Sequence, residues 1–289
     1  DWFFFAFGCY RQADFYYSED GSGRLDAYDA AVDCFKRATA SLPSSPEPVS
    51  IMLDGVEMLG YMIVPSDAPK PCPGVVVIYG ADGNKEAHLL GTLGPAIRRG
   101  LAAIIVDGPG QGATLRRNRI PVRPDTEVYA AACLDVMRAD PRIDGNRIGI
   151  VGTSFGGYSA VRALAREPRL KAGLAISGLY DVVSGVFDPY PPVRPQLTYN
   201  VGAKSEAEAR EKLRAFTLKG VIENAKQPLA IFHGAADPLI PTAQPQLIYD
   251  NWGGPKKLTI WPGANHNLIN ATFAADPDMW DWLAAALRS

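Results

Sequence analysis

Hydrophobic positions change their period twice along the chain. Up to about residue 42 they recur at helical spacing: Leu25, Tyr28, Val32 and Phe35 fall on one face of Arg24 to Leu42, and the first twenty residues are crowded with Phe and Tyr. The run Ser41-Leu42-Pro43-Ser44-Ser45-Pro46-Glu47-Pro48 then reads as a linker. Beyond it, Val49 to Leu53 and Val56 to Ile63 flank Asp54-Gly55, a dipeptide that favours a tight hairpin, so the sheet opens antiparallel. From Gly74 onward the pattern becomes short, continuous apolar runs alternating with helical ones, as parallel strands covered on both faces require. The predicted strands are Gly74 to Tyr79, Ala102 to Val106, Arg147 to Val151, Ala172 to Ile176, Leu229 to Phe232 and Leu258 to Trp261. The intervening helices are predicted near Glu86 to Arg99, Glu127 to Ala139, Phe155 to Arg166, Gln244 to Asn251 and Ala271 to Leu287.

With the hairpin this makes an α/β fold on an eight-stranded, mostly parallel sheet. The alternation fails once. Between Asp181 and Gln227 lies a proline-rich aromatic stretch, Phe187-Asp188-Pro189-Tyr190-Pro191-Pro192, followed by Ser205-Glu206-Ala207-Glu208, a helix-capping pattern. This is too long for a simple connection and reads as a cap inserted after the sixth strand. The expected organisation is therefore a helical lid segment over residues 1–48, a core over 49–181 and 228–289, and a cap over 182–227.

Composition narrows the class. Of 289 residues, 47% are hydrophobic and 21% charged, which describes a globular chain able to bury a sizeable core. A net charge of -2 without a lysine or arginine cluster gives no electrostatic footprint for nucleic acid or an anionic membrane. Cys9, Cys34, Cys72 and Cys133 lie far apart with no metal-ligand spacing, so free thiols in a reducing compartment are expected. The apolar opening, Asp1-Trp2-Phe3-Phe4-Phe5-Ala6-Phe7, lacks the basic start and small-residue cleavage site of a secretory signal, and no apolar run reaches membrane-spanning length. A cytoplasmic location is the expectation.

The chemistry concentrates where the fifth strand ends. Ile148-Gly149-Ile150-Val151 runs into Gly152-Thr153-Ser154-Phe155-Gly156 and then directly into a helix, the strand, turn and helix sequence that lifts a serine hydroxyl clear of a sheet. A serine attacks a carbonyl only if a base takes its proton, and that base is an imidazole oriented by a carboxylate. Of three histidines, His266 follows the eighth strand, where a loop brings it to the carboxyl edge of the sheet; His88 sits in a helical pattern, and His233 ends a strand, where a core hydrogen bond is expected. Asp237, after the seventh strand, is the expected acid, with Asp181 after the sixth as its competitor. The oxyanion donors are expected to be the amides of Phe155 and of Ala81, in the loop after the third strand. Tyr79 beside that loop, and Phe187, Tyr190 and Tyr199 in the inserted stretch, are the candidate substrate contacts. Asp107, in Asp107-Gly108-Pro109-Gly110-Gln111-Gly112, reads as a turn stabiliser.

Four segments carry a resemblance: Tyr79-Gly80-Ala81-Asp82-Gly83-Asn84-Lys85-Glu86, Val106-Asp107-Gly108-Pro109-Gly110-Gln111-Gly112, Gly152-Thr153-Ser154-Phe155-Gly156-Gly157-Tyr158 and His233-Gly234-Ala235-Ala236-Asp237. In this order they resemble the α/β-hydrolase superfamily, and within it the FrsA-like group that includes 2,6-dihydroxypseudooxynicotine hydrolase and Ayg1-type polyketide-shortening enzymes. The resemblance implies hydrolysis of a carbon-carbon bond beside a ketone in an aryl or polyketide-like small molecule, with carboxylester hydrolysis or acyl transfer as the alternative. It also implies a part for Asp82, where the pseudooxynicotine enzyme carries a glutamate that assists the chemistry. A helix-capping Asp82 is the competing reading. No metal or organic cofactor is required for this chemistry, and members of the group often form dimers, so a homodimer is an expectation.

Overall fold

The computed structural model describes residues 2–16, 22–81 and 83–288. Two helices, α1 (Trp2–Tyr16) and α2 (Ser22–Thr39), precede the sheet and pack on each other. The sheet opens with β1 (Glu47–Leu53) and β2 (Val56–Ile63), joined through Asp54 and Gly55 with φ of 51° and 79°. Both turn residues are left-handed, as a two-residue hairpin matched to strand twist demands. Then follow β3 (Cys72–Ile78), the short α3 (Gly94–Ile97), β4 (Ala102–Val106), α4 (Gly112–Arg116), α5 (Glu127–Ala139), β5 (Ile143–Thr153) and α6 (Phe155–Arg166). After β6 (Gly173–Ile176) come α7 (Arg194–Asn200) and α8 (Glu206–Leu213), and the chain closes with β7 (Leu229–Gly234), α9 (Ala243–Asn251), β8 (Lys256–Trp261) and α10 (Thr272–Ala286).

The strand order is β1-β2-β4-β3-β5-β6-β7-β8, with β2 antiparallel to β1 and β4 and the remaining pairs parallel. The path runs outward from β3 to β4 and then returns to place β5 on the other side of β3. The loops leaving β3 and β5 therefore diverge and open a crevice at the carboxyl ends of the strands, the place where open α/β sheets bind ligands.

Every residue of β3 and β4 is buried, which explains their unbroken apolar sequences. Side chains alternate between two cores. Val76, Ile78 and Ile104 face α5, α6 and the segment after β6, while Val75, Val77 and Ile105 face α10 and α2. Phe35 of α2 meets Tyr61 of β2 with ring centroids 5.2 Å apart.

Two elements depart from expectation. The helix predicted over Glu86 to Arg99 is a 3₁₀ turn at Lys85–His88, a π-helical stretch at Leu89–Leu93 and then α3, whose Pro95 sits in its first turn. Gly91, Gly94 and Pro95 make a continuous helix costly here, and proline is comfortable only at a helix start. The five-residue α4 is not among the predicted helices and begins at Gly112, the last residue of the stretch read as turn.

Within the long connection between β6 and β7, Asp181 and Thr217 form an isolated antiparallel bridge outside the sheet. Val182 N–H donates to Phe216 O at 3.1 Å and Leu218 N–H to Tyr180 O at 2.8 Å, so the excursion is closed at its base. Ser205 caps α8 by accepting the Glu208 amide at 3.2 Å, and the Glu208 carboxylate accepts the Lys204 amide at 2.9 Å.

Candidate active site

The end of β5 is built around two close approaches. A Cβ on Gly152 would lie 2.0 Å from Gly156 O, and one on Gly156 would lie 2.4 Å from Ile78 O, so only glycine fits either position. Between them Ser154 has φ 57° and ψ -123°, a strained backbone for a side-chain-bearing residue that costs about 1–3 kcal/mol. Ser154 N–H donates to Ile176 O at 2.8 Å, which holds the turn against β6. The hydroxyl is thereby presented at the carboxyl edge of the sheet. The first amides of α6, beginning with Phe155, have no intrahelical acceptor and lie at the positive end of the helix dipole.

The structure brings three of the sequence-predicted residues together. His266 Nε2 lies 3.0 Å from Ser154 Oγ, and His266 Nδ1 lies 2.7 Å from Asp237 Oδ2. A carboxylate only accepts, so Nδ1 carries the proton and Nε2 is left to accept from the serine hydroxyl. The other oxygen, Asp237 Oδ1, accepts the amides of Leu239 at 2.9 Å and Ile240 at 3.1 Å. Burial pushes the Asp237 carboxyl up, but the hydrogen bond and charge of His266 and the two backbone amides outweigh it, so the group lies below its ordinary range. Asp181, the competing acid, instead accepts the amide and hydroxyl of Ser184 at 2.8 Å each.

The loop carrying His266 is held by backbone strain and by a neighbour. Asn267 and Leu268 adopt φ of 57° and 56°, and Asn267 N–H donates to Ser177 Oγ at 3.0 Å. His233 backs the acid: its Nε2 donates to Ile240 O at 2.9 Å and lies 3.7 Å from Asp237 Oδ2. Burial holds the His233 imidazole below its ordinary pKa, against the pull of Asp237, and keeps it neutral.

The loop after β3 crosses above the serine, where a Cβ on Gly80 would meet Ser154 Cβ at 3.2 Å. Ala81 O accepts from Asn200 Nδ2 of α7 at 2.8 Å, and Tyr79 O accepts from Gln111 Nε2 at 2.7 Å. Asp82 lies outside the described residues. The Phe155 side chain is buried against Tyr158 and Phe216, with centroids 5.9 and 5.6 Å away.

Two of the expected substrate contacts lie in the core. Tyr79 is fully buried, stacks on His88 at 4.9 Å and donates its phenol to Asp107 at 2.6 Å, so it supports the loop from beneath. Phe187 is buried in the segment after β6, under the Arg194 guanidinium at 5.5 Å. Tyr190 and Tyr199 are half-buried, the latter beneath Arg24 of α2 at 5.0 Å.

Asp107 holds more than its turn. Its Oδ1 accepts the Tyr79 phenol and the Lys85 amide at 2.9 Å; its Oδ2 accepts the Ala113 amide at 2.8 Å, the Lys85 ammonium at 2.9 Å and the Tyr28 phenol at 3.0 Å. Burial alone would push this carboxyl up, but the Lys85 ammonium, the Ala113 amide and Tyr79 hold it below its ordinary value, while burial pushes neighbouring Glu86 up. The turn-stabilising role read for Asp107 from the sequence covers its bond to the Ala113 amide and leaves out the groups from distant stretches.

Comparison with known proteins decides the family. The model of the prolyl oligopeptidase family matches residues 98–289. The chain belongs to this family of α/β-hydrolases. The chain is 36% identical over 185 residues to the α/β hydrolase xenA of Xenoacremonium sinensis, covering 60% of this chain and 43% of xenA. It is 30% identical over 285 residues to the hydrolase LUC6 of a Fusarium species, covering 83% of this chain and 67% of LUC6. The crystal structure of 2,6-dihydroxy-pseudo-oxynicotine hydrolase superposes with a TM-score of 0.88 at 25% identity, over 97% of this chain and 78% of that one. The chain spans less than half the length of xenA, and among its described residues no helix is long and apolar enough to cross a membrane.

Proposed function

We propose that this hydrolase acts through a covalent acyl-enzyme on Ser154 and cleaves a carbon-carbon bond beside a ketone in an aryl ketone or β-diketone-like small molecule. The observation that carries the covalent mechanism is the hydrogen-bond chain Ser154–His266–Asp237, with 3.0 and 2.7 Å links. Ser154 attacks the carbonyl while His266 Nε2 takes its proton, and Asp237 stabilises the resulting imidazolium through Nδ1–H. The negative charge that develops on the carbonyl oxygen is met by the amide of Phe155 and by that of Ala81. His266 then returns its proton to the departing group, and water repeats the cycle on the acyl-enzyme. When the departing group is carbon it leaves as a stabilised enolate or an electron-rich aromatic carbon, and Asp82 either positions it for the proton that His266 returns or relays that same proton to it.

Likeness to 2,6-dihydroxy-pseudo-oxynicotine hydrolase over nearly the whole chain supports the carbon-carbon reading. Ester hydrolysis is the second reading, favoured by the placement of His266, which suffices alone to protonate an alkoxide. A fluorophosphonate probe is expected to label the wild type and not Ser154→Ala, with turnover lost about 10⁴-fold or more in the variant; an unlabelled wild type rejects the covalent mechanism. Asp82→Asn, assayed on an aryl ester and an aryl β-diketone, separates the two chemistries: selective loss on the diketone supports carbon-carbon cleavage, and equal effects on both reject the special part of Asp82.

A further inference from the structure

Both ends of the loop after β3 hang from one carboxylate. The near end is tied through the Tyr79 phenol and the far end through the Lys85 amide, both on Asp107 Oδ1. The other oxygen holds the Lys85 ammonium, the Ala113 amide and one group from outside the sheet, Tyr28 of α2. Asp107 is wholly buried and Tyr28 nearly so. Water therefore cannot replace a missing partner without entering a closed site.

Tyr28 has a double connection. Its hydroxyl donates to Asp107 and accepts from Lys85 Nζ at 3.0 Å, so it sits between the two charges that fasten the loop. Its ring lies under the Arg116 guanidinium, at 5.4 Å. Arg116 in turn holds Asp14 of α1 through two bonds of 2.7 and 2.8 Å, and Asp14 also accepts from Arg24 of α2 at 3.3 Å. Buried charged groups are tolerated only when fully paired, and a pairing that spans α1, α2, the β3 loop and the turn after β4 transmits its geometry among them.

We propose that Tyr28 is a positioning residue for the oxyanion site: acting through Asp107 and Lys85, it makes the N-terminal helical pair part of the machinery that holds the β3 loop over Ser154. This rests on the serine mechanism above, in which that loop supplies an amide to the developing oxyanion. Electrostatic stabilisation of this kind depends on donors fixed before the charge appears, so loosening the loop weakens transition-state binding more than ground-state binding.

Tyr28→Phe removes one oxygen and leaves the ring in place. On a p-nitrophenyl ester it is expected to lower kcat about tenfold, a fraction of what deleting an oxyanion donor outright costs, with KM within twofold. Affinity for phenylboronic acid, whose serine adduct mimics the tetrahedral oxyanion, is expected to weaken by the same factor. A purely structural tyrosine would lower the melting temperature without moving kcat and boronate affinity together. In a cycle with Asp107→Asn, the double variant is expected to be no worse than Asp107→Asn alone. Unchanged kcat and boronate affinity in Tyr28→Phe, or losses that multiply in the double variant, overturn the proposal. Should Asp107→Asn not fold, hydrogen exchange at the Lys85 amide in Tyr28→Phe replaces the cycle: faster exchange supports the path, and an unchanged rate overturns it. A wild type that is neither labelled by fluorophosphonate nor active on the ester brings down the serine mechanism itself, whereas a labelled, active wild type leaves Tyr28 to be judged alone.

Discussion

Asp107 and Asp237 occupy equivalent places on the sheet, each just beyond the carboxyl end of a parallel strand, and both carry buried carboxyl groups that accept backbone amides. They differ in what they hold. Asp237 gives one oxygen to an imidazole that touches Ser154 Oγ, so under the proposed mechanism its order reaches the attacking hydroxyl in one step. Asp107 faces a lysine, two tyrosines and two amides, and its order reaches a loop. A carboxylate at a strand end can thus serve proton transfer or architecture, and the charge of its partner marks which: a neutral imidazole can exchange a proton with the serine, whereas a buried ammonium stays fixed.

The sharpest way to break this contrast is to neutralise each in turn. Asp237→Asn is expected to lower kcat about 10⁴-fold, because the amide favours the wrong imidazole tautomer, while circular dichroism and the melting temperature stay close to wild type. Asp107→Ala leaves Lys85 buried without its main counter-charge, and urea unfolding is expected to show a loss of roughly 3–5 kcal/mol. If Asp107→Ala were instead stable and merely slow, the architectural reading would be wrong.

A smaller effect separates the two regions by pH. Burial holds His233 below its ordinary value of about 6.5. The unfolded chain therefore takes up a proton below that pH before the folded one does, and stability falls as pH is lowered through this window. The Asp237 carboxyl, held below its ordinary range, contributes stability above that range and loses it only as pH falls through its lower folded value. His233→Gln, which keeps a donor for Ile240 O, is expected to shrink the loss of melting temperature between pH 7.5 and 5.5 and leave the lower acid transition in place. An unchanged loss would mean that the imidazole already carries charge in the fold.

How far each region could be read from the chain follows from the range of its contacts. Strands β3, β4, β6 and β7 were legible because strands buried on both faces show as continuous apolar runs, and β1 and β2 because they flank Asp54-Gly55. Ser154, Asp237 and His266 were legible as candidates because each follows a strand in a fixed chain order. The turn around Asp107 was visible too, since its bond to the Ala113 amide is local. Its partners Tyr28 and Lys85 were not, because a buried ion pair between distant stretches leaves no periodic trace. The burial of Tyr79 and Phe187 was not legible for a related reason: an aromatic residue near a motif looks the same whether it faces a pocket or fills the core. The break in the helix after residue 85 was signalled by Gly91, Gly94 and Pro95, and the apolar spacing around them outweighed the signal.

The bridge between Asp181 and Thr217 has a consequence for how such chains diversify. Because entry and exit lie side by side, the intervening segment can grow or shrink without altering the spacing of β6 and β7, and extra length costs only a slowly rising closure entropy. The segment behaves as an exchangeable cassette with one obligatory fitting. Asn200 holds both Ala81 O and Gly110 O, at 2.8 and 2.7 Å, so a transplanted segment keeps the neighbouring loops in place only if it brings an amide donor to that point.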